Sequence, residues 1–294
     1  MDVFSAIVAQ SRAYLREAAA QAAGALGIFA LPPALLEPAL RDPTPEAAAA
    51  LSRALGLPGA HRLRALLNVL RLEGIDRAPP PRPQPPHGWG RLAEVIRTGR
   101  PLPEPREALA AFHQHLRTAG AEAARELAVL LGAGPLLDLG GGTGAYTAAY
   151  LAAHPGEAAT LADRAEVLAL PGAPPEAVKL ECNLLNVIYP EDQGVVLLAN
   201  VLHLFGPADC ARLVARARAA LRPGGALVVK DLDAQHPAGI YFALNMALYT
   251  DAGEVHAVPA IERWLGPCET RRLRCAPDAV VLIARAPEKR VSKP

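Results

Sequence analysis

The sequence predicts an α/β fold: a doubly wound, mostly parallel sheet whose last strand runs antiparallel, preceded by an all-helical region. Three observations carry this expectation. Residues 134–146 read as a short apolar strand, a glycine-crowded turn and the start of a helix. From Pro135 onward, strand-like apolar runs alternate with helical patterns. Before that corner, residues 1–77 show helical periodicity alone and lead into a proline-rich stretch, 78–88. The expected division is 1–77 as a helical domain, 78–105 as linker and connecting helix, and 106–294 as the α/β domain.

The 294 residues suffice for one large or two modest domains. Hydrophobic residues make up 51% and the net charge is +1, which excludes a disordered chain and gives no electrostatic case for a nucleic-acid partner. Cys182, Cys210, Cys268 and Cys275 lack metal-ligand spacing, so no metal is expected, and free thiols in a reducing cytoplasm are the simplest account. No apolar run reaches the ~20 residues of a membrane span. The N-terminus lacks the pattern of a signal peptide.

Residues 2–24 carry Val3, Ile7, Tyr14, Leu15 and Ala18 near one helical face. Thr44-Pro45-Glu46 starts a second helix, with a capping hydroxyl and Pro at the first position, and Gly56 stops it. Leu63, Leu66, Leu67 and Leu70 define a third, ending at Gly74. The tight turn between these two makes a helix-turn-helix. Arg62, Arg64 and Arg71 admit a DNA-binding reading, but an exposed polar face supplies arginines equally well, and a small helical domain is favoured. The 78–88 stretch can be neither helix nor sheet interior and reads as an extended spacer. Trp89, Leu92 and Ile96 restart a helix, broken at 98–101, and a long helix follows over 106–131. His113 and His115 on it point to opposite faces, a poor metal pair.

Candidate strands are 135–139, 158–162, 177–181, 194–199, 225–230, 270–275 and 278–285. Only Ala276-Pro277 separates the last two, too little for a parallel crossover, so the terminal strand must be antiparallel. That feature argues against an ordinary dinucleotide fold. The corner itself leaves the nucleotide open, since Gly140-x-Gly142-x-x-Ala145 also fits the dinucleotide fingerprint. Asp138 closes the first strand. Gly140, Gly142 and Gly144 leave room for a ligand. Asp163, after the second strand, suits the two ribose hydroxyls of a nucleoside. Asn183, after the third, offers donor and acceptor to an adenine edge, though Asn is common at strand ends for turn reasons. His203 sits just past the fourth strand, where ligands bind such sheets, and imidazole is the side chain best suited to take a proton near neutral pH.

Leu137-Asp-Leu-Gly-Gly-Gly-Thr-Gly144, Val201-Leu-His203 and Leu221-Arg-Pro-Gly-Gly225, in this order and spacing, resemble the S-adenosylmethionine-dependent O-methyltransferases of the plant caffeate and bacterial polyketide type. Trp89-Gly-Arg-Leu and Arg97-Thr-Gly99 resemble the segment that joins that family's two domains. The resemblance implies a winged-helix dimerisation domain followed by a Rossmann-like class I methyltransferase domain, a seven-stranded sheet with its last strand antiparallel. It implies S-adenosyl-L-methionine as cofactor, S-adenosyl-L-homocysteine as product, a small-molecule acceptor and a homodimer, with no nucleic acid or membrane partner. Carried over, Asp138, Gly140, Gly142, Gly144, Asp163, Asn183 and Asn200 bind the cofactor. His203 is the general base, flanked by Asp231 and Glu254. The family usually follows its histidine with Asp-Trp, where this chain has Leu204-Phe205. A basic residue often seen before that motif is replaced by Ala199-Asn200, and no β-wing is legible. Tyr241, Asn245 and Tyr249, at i, i+4 and i+8 beside Met246, offer two phenols and an amide as a wall for a flat acceptor, with Phe112 and Trp264 as further candidates. Such a stripe is equally the mark of a buried core face. Methyl transfer to N, S or C of a small molecule, a nicotinamide oxidoreductase and a DNA-binding sensor of the cofactor are the rival readings.

Overall fold

The structure is a computed structural model and describes residues 3–78, 87–103 and 109–288. It forms two compact units, the described residues within 4–104 and 234–255, and those within 105–233 and 256–294. Most of the proline-rich stretch lies outside the described residues.

The helical unit contains α1 (Val3–Ala25), α2 (Pro33–Arg41), α3 (Pro45–Ala54), α4 (Ala60–Glu73), α5 (Leu92–Thr98) and α10 (Pro237–Tyr249). Thr44 caps α3 as expected: its hydroxyl accepts from the Ala47 amide at 3.1 Å. Gly74 ends α4 at φ 62°, and the Ile75 amide reaches back to the Leu70 carbonyl. Leu63, Leu66, Leu67 and Leu70 form one core with Leu15, Ala19, Ala23, Leu92, Ile96, Ile240, Leu244 and Leu248. This core explains why α10 belongs here although it lies after residue 233, so the unit extends beyond the 1–77 expected for it. Arg62 does not lie on an exposed polar face. It is 3% exposed and donates to the carbonyls of Ala247 (3.0 Å) and Thr250 (2.8 Å), the orphaned end of α10. Arg64 pairs with Glu254. The helix-turn-helix therefore packs a small domain, and the unit has no strand among its described residues.

The second unit contains β1 (Leu136–Leu139), β2 (Ala159–Asp163), β3 (Val178–Glu181), β4 (Gln193–Ala199), β5 (Leu221–Leu232), β6 (Glu269–Arg271) and β7 (Ala279–Arg285). Their order is β3-β2-β1-β4-β5-β7-β6. β7 is antiparallel to both β5 and β6, as the short connection requires, and the other pairs are parallel. Helices α6 (Leu109–Leu130), α7 (Ala145–Ala153), α8 (Ala165–Leu168), α9 (Pro207–Ala219) and α11 (Val258–Leu265) complete it. Two apolar cores sandwich the sheet, one holding Leu137, Leu139, Leu227 and Val229, the other Leu136, Val195, Val228 and Val281. β5 begins earlier than expected, because the Pro223-Gly224-Gly225 kink stays within it and shifts its register against β4. Among the described residues no helix is long and apolar enough to cross a membrane.

Candidate active site

The carboxyl ends of β1, β2, β4 and β5 bring most of the expected residues of this unit together. At the β1 corner, Gly140, Gly142 and Gly144 all take positive φ, at 70°, 61° and 79°. They are not equivalent. A Cβ on Gly140 would stand 2.8 Å from Val201 Cγ2, and one on Gly144 2.9 Å from Pro174 Cδ, so these two are packed. A Cβ on Gly142 would be in ordinary contact with the His113 ring, its Nδ1 at 3.5 Å. The turn is therefore least crowded at Gly142. Asp163 reaches the same place: Oδ2 accepts the Gly142 amide at 2.8 Å, and Oδ1 the Arg164 amide at 2.7 Å. Arg117 on α6 donates to the carbonyls of Thr143 (2.8 Å) and Gly172, tying the far side of the loop. His113 and Arg117, one helical turn apart, thus face the corner. Helical spacing alone did not tell which of His113 and His115 would turn this way.

Asp138 lies beneath the turn. It is wholly buried, its Oδ2 accepts from the Thr147 hydroxyl at 2.7 Å, and Oδ1 has no hydrogen-bond partner. Burial pushes its carboxyl up to about 6, the charge of Asp163 adds to this, and the Thr147 bonds oppose it. Its observed contacts hold the turn, where a cofactor contact was expected. Asn183 is exposed and makes an Asx turn, its Oδ1 accepting the Leu185 amide at 3.0 Å. Asn200 stands at φ 59° after β4, a conformation Asn tolerates. Its Oδ1 accepts from the fully buried Lys230 ammonium at 2.9 Å, and its amide bonds the Lys230 carbonyl. Lys230 escaped notice in the sequence, where it sits inside an apolar strand.

His203 lies in a short 3-10 turn, Leu202–Leu204, directly after β4. Its Nδ1 is 2.7 Å from Asp231 Oδ1, and its backbone amide donates to Oδ2 at 3.2 Å. The Leu232 amide also donates to Asp231 Oδ1, at 2.8 Å. Burial alone would raise the Asp231 carboxyl. The charge and hydrogen bond of His203, the Leu232 amide and the Lys230 charge outweigh it and hold the group below the usual carboxylate range. Asp231 is thus a carboxylate, Nδ1 is the donor, and the lone pair of the neutral ring sits on Nε2. This carboxylate–imidazole pair can orient a proton acceptor.

The other expected residues are distributed as follows. Phe112 is 40% exposed and meets His113 edge to face. Trp264 on α11 meets the His256 ring edge to face at 4.9 Å. Glu254, Tyr241, Asn245, Met246 and Tyr249 belong to the helical unit. Glu254 is ion-paired with Arg64. Tyr241 is 1% exposed and donates to Glu73, and burial pushes its phenol far up. Its place in the stripe is core. Met246 is buried, while Asn245 and Tyr249 are half-buried. Among the described residues no His, Cys, Asp or Glu cluster could hold a metal.

A family model described as an O-methyltransferase domain matches residues 97–256, more than half of the chain. The chain belongs to this O-methyltransferase family. The matched span holds the glycine corner, Asp163, Asn200, His203 and Asp231, while Trp264 falls outside it. Acetylserotonin O-methyltransferase of Bos taurus is 32% identical over 154 residues, which cover 48% of this chain and 44% of that protein. The chain spans less than half the length of the curated relatives it matches. Two solved structures share the fold of this family member. One is an O-methyltransferase family 2 protein of Planctomyces limnophilus in complex with apigenin, with TM-score 0.67, 20% identity, and coverage of 97% of this chain and 96% of that one. The other is human N-acetylserotonin methyltransferase in complex with SAM, with TM-score 0.58, 18% identity, and coverage of 96% and 98%.

Proposed function

We propose that this family member transfers the methyl group of S-adenosyl-L-methionine to a phenolic or enolic hydroxyl of a small metabolite, with His203 as general base. The observation that carries the reading is the 2.7 Å contact between His203 Nδ1, just after β4, and Asp231 Oδ1 on β5, with β4 lying beside the β1 of the glycine corner. The choice of oxygen as acceptor atom rests on the family.

The residues at the corner fit the cofactor. The turn is least crowded at Gly142, and the Asp163 carboxylate, bonded to the Gly142 amide, would accept the ribose hydroxyls. Gly140, Gly142 and Gly144 would let the methionyl part approach the backbone, with Asn200 at the neighbouring strand end. When bound, the sulfonium supplies an activated methyl group and leaves as a neutral thioether. His203 Nε2 takes the hydroxyl proton as the oxygen attacks, and Asp231 holds the ring and stabilises the imidazolium that forms.

Positioned proton transfer is worth about 10²–10⁴ in rate. His203→Ala is therefore expected to slow methylation of the true acceptor by roughly that factor while calorimetry shows unchanged binding of S-adenosylhomocysteine. The loss shrinks for acceptors with more acidic hydroxyls. Methylation by His203→Ala at the parent rate would make His203 structural. The same reading includes a homodimer formed through residues 1–75, the commonest closed assembly. Light scattering at micromolar concentration that returned the 30.8 kDa of one chain would count against it.

A further inference from the structure

His256 meets the turn that carries His203 at other atoms than Asp231 does. It is 6% exposed. Its Nε2 is 3.2 Å from the Leu202 carbonyl oxygen and 3.0 Å from that of Phe205. These carbonyls bracket His203. Two acceptors facing one ring nitrogen fix the tautomer, because a lone pair on Nε2 would face two oxygen lone pairs. Nε2 therefore carries the proton and shares it between them. Cys210 Sγ lies 3.3 Å from the same nitrogen and 3.3 Å from the Leu202 carbonyl, so its thiol hydrogen goes to that oxygen. Trp264 backs the imidazole edge to face, and Cys210 is fixed in α9.

The turn is thus held from two sides. Asp231 takes the amide and ring nitrogen of His203, while His256 and Cys210 take the carbonyls before and after it. The turn's own backbone bonds run from Leu204 to Val201 at 3.1 Å and from Phe205 to Leu202 at 3.0 Å. Three residues of 3-10 helix do not fix a side chain's direction unaided.

We propose that His256 is a positioning residue for the reaction: it clamps the His203 turn through the Leu202 and Phe205 carbonyls. The inference rests on His203 being the base, but the clamp itself can be read without turnover. The experiment compares the parent with His256→Leu, which removes the donor, and His256→Gln, whose amide nitrogen stands near the place of Nε2. Proton NMR of the ligand-free protein follows the downfield Nδ1 proton that His203 shares with Asp231, assigned by its loss in His203→Ala. In His256→Leu this signal broadens through exchange with water, and in His256→Gln it stays sharp. In turnover, His256→Leu lowers kcat by about 10- to 100-fold, the scale of a misplacement of up to ~1 Å. KM and S-adenosylhomocysteine affinity stay as in the parent, and Gln restores kcat. If His256→Leu does not fold, His256→Asn, too short to reach both carbonyls, takes its place. A folded Leu or Asn variant with a parent-like Nδ1 signal overturns the proposal, as does a Gln variant no better than Leu. If no acceptor is ever methylated, the NMR comparison still decides the clamp, and only the proposed function fails.

Discussion

Asp138 has no room for its charge. It is wholly buried against Thr147 and the Gly141 backbone, where even a Cβ on the glycine would stand 2.6 Å from the Asp138 carboxyl carbon. Burial raises its carboxyl from 3.8 to about 6 in the folded protein. A raised folded value means that the neutral form is favoured by folding. The resulting stability is present in full below the unfolded value and is lost as the pH rises through about 6. At 1.36 kcal/mol per pH unit the loss is on the order of 3 kcal/mol. Asp138→Asn keeps an acceptor for Thr147 and does not ionise. Urea unfolding at about pH 4 and about pH 8 should therefore show the Asn variant gaining on the parent by roughly that amount at the higher pH. An equal difference at both values would mean that the carboxylate is accommodated as a charge.

At the scale of elements, the glycine corner separates two closely packed glycines, Gly140 and Gly144, from the less crowded Gly142. Gly140→Ala drives a methyl into Val201 in a conformation that already disfavours a side chain, so it should lower the melting temperature. Gly142→Ala, at an equally disfavoured φ, adds a Cβ with nothing nearer than His113 Nδ1 at 3.5 Å, so calorimetry should show cofactor affinity lowered at a smaller cost in stability. Equal losses of stability from the two would remove the distinction. The corner, the candidate strands and the antiparallel β7 were legible because each follows from local chemistry: glycine φ, apolar runs and a connection too short to cross over. His203 stood out from its place past a strand end, whereas Asp231 came only with the family resemblance. The clamp by His256 was not, since it joins residues that are 46 or more positions apart. The buried Lys230 was hidden for a related reason: its partner Asn200 lies on another strand's end, and a lone Lys in an apolar run carries no period. Tyr241 misled because a stripe at helical spacing reads the same whether it faces a pocket or a core.

At the scale of the whole molecule, the chain is not divided where its proline-rich stretch suggests. Residues 234–255 return to the helical unit, and α10 is part of its core. Ile240, Leu244 and Leu248 are buried there with Leu66 and Leu70. Tyr241 gives its hydroxyl to Glu73, and Arg62 caps the end of α10. Burying three large aliphatic side chains is worth about 5–9 kcal/mol. A whole domain is commonly stable by only 5–15 kcal/mol. A chain cut to residues 106–294 would keep the glycine corner, His203, Asp231 and His256. It would also present the apolar face of α10 to water, with the Ala247 and Thr250 carbonyls no longer met by Arg62. The expected outcome is a fragment that aggregates, or that binds a dye for exposed apolar surface. Removing residues 234–255 as well, with a short flexible link from 233 to 256, should restore a soluble fragment, because both of its cores are built without them. If residues 106–294 alone stay monomeric, melt cooperatively and bind S-adenosylhomocysteine as the full chain does, then α10 is an accessory of the helical unit, and the division expected at the proline-rich stretch is the physical one.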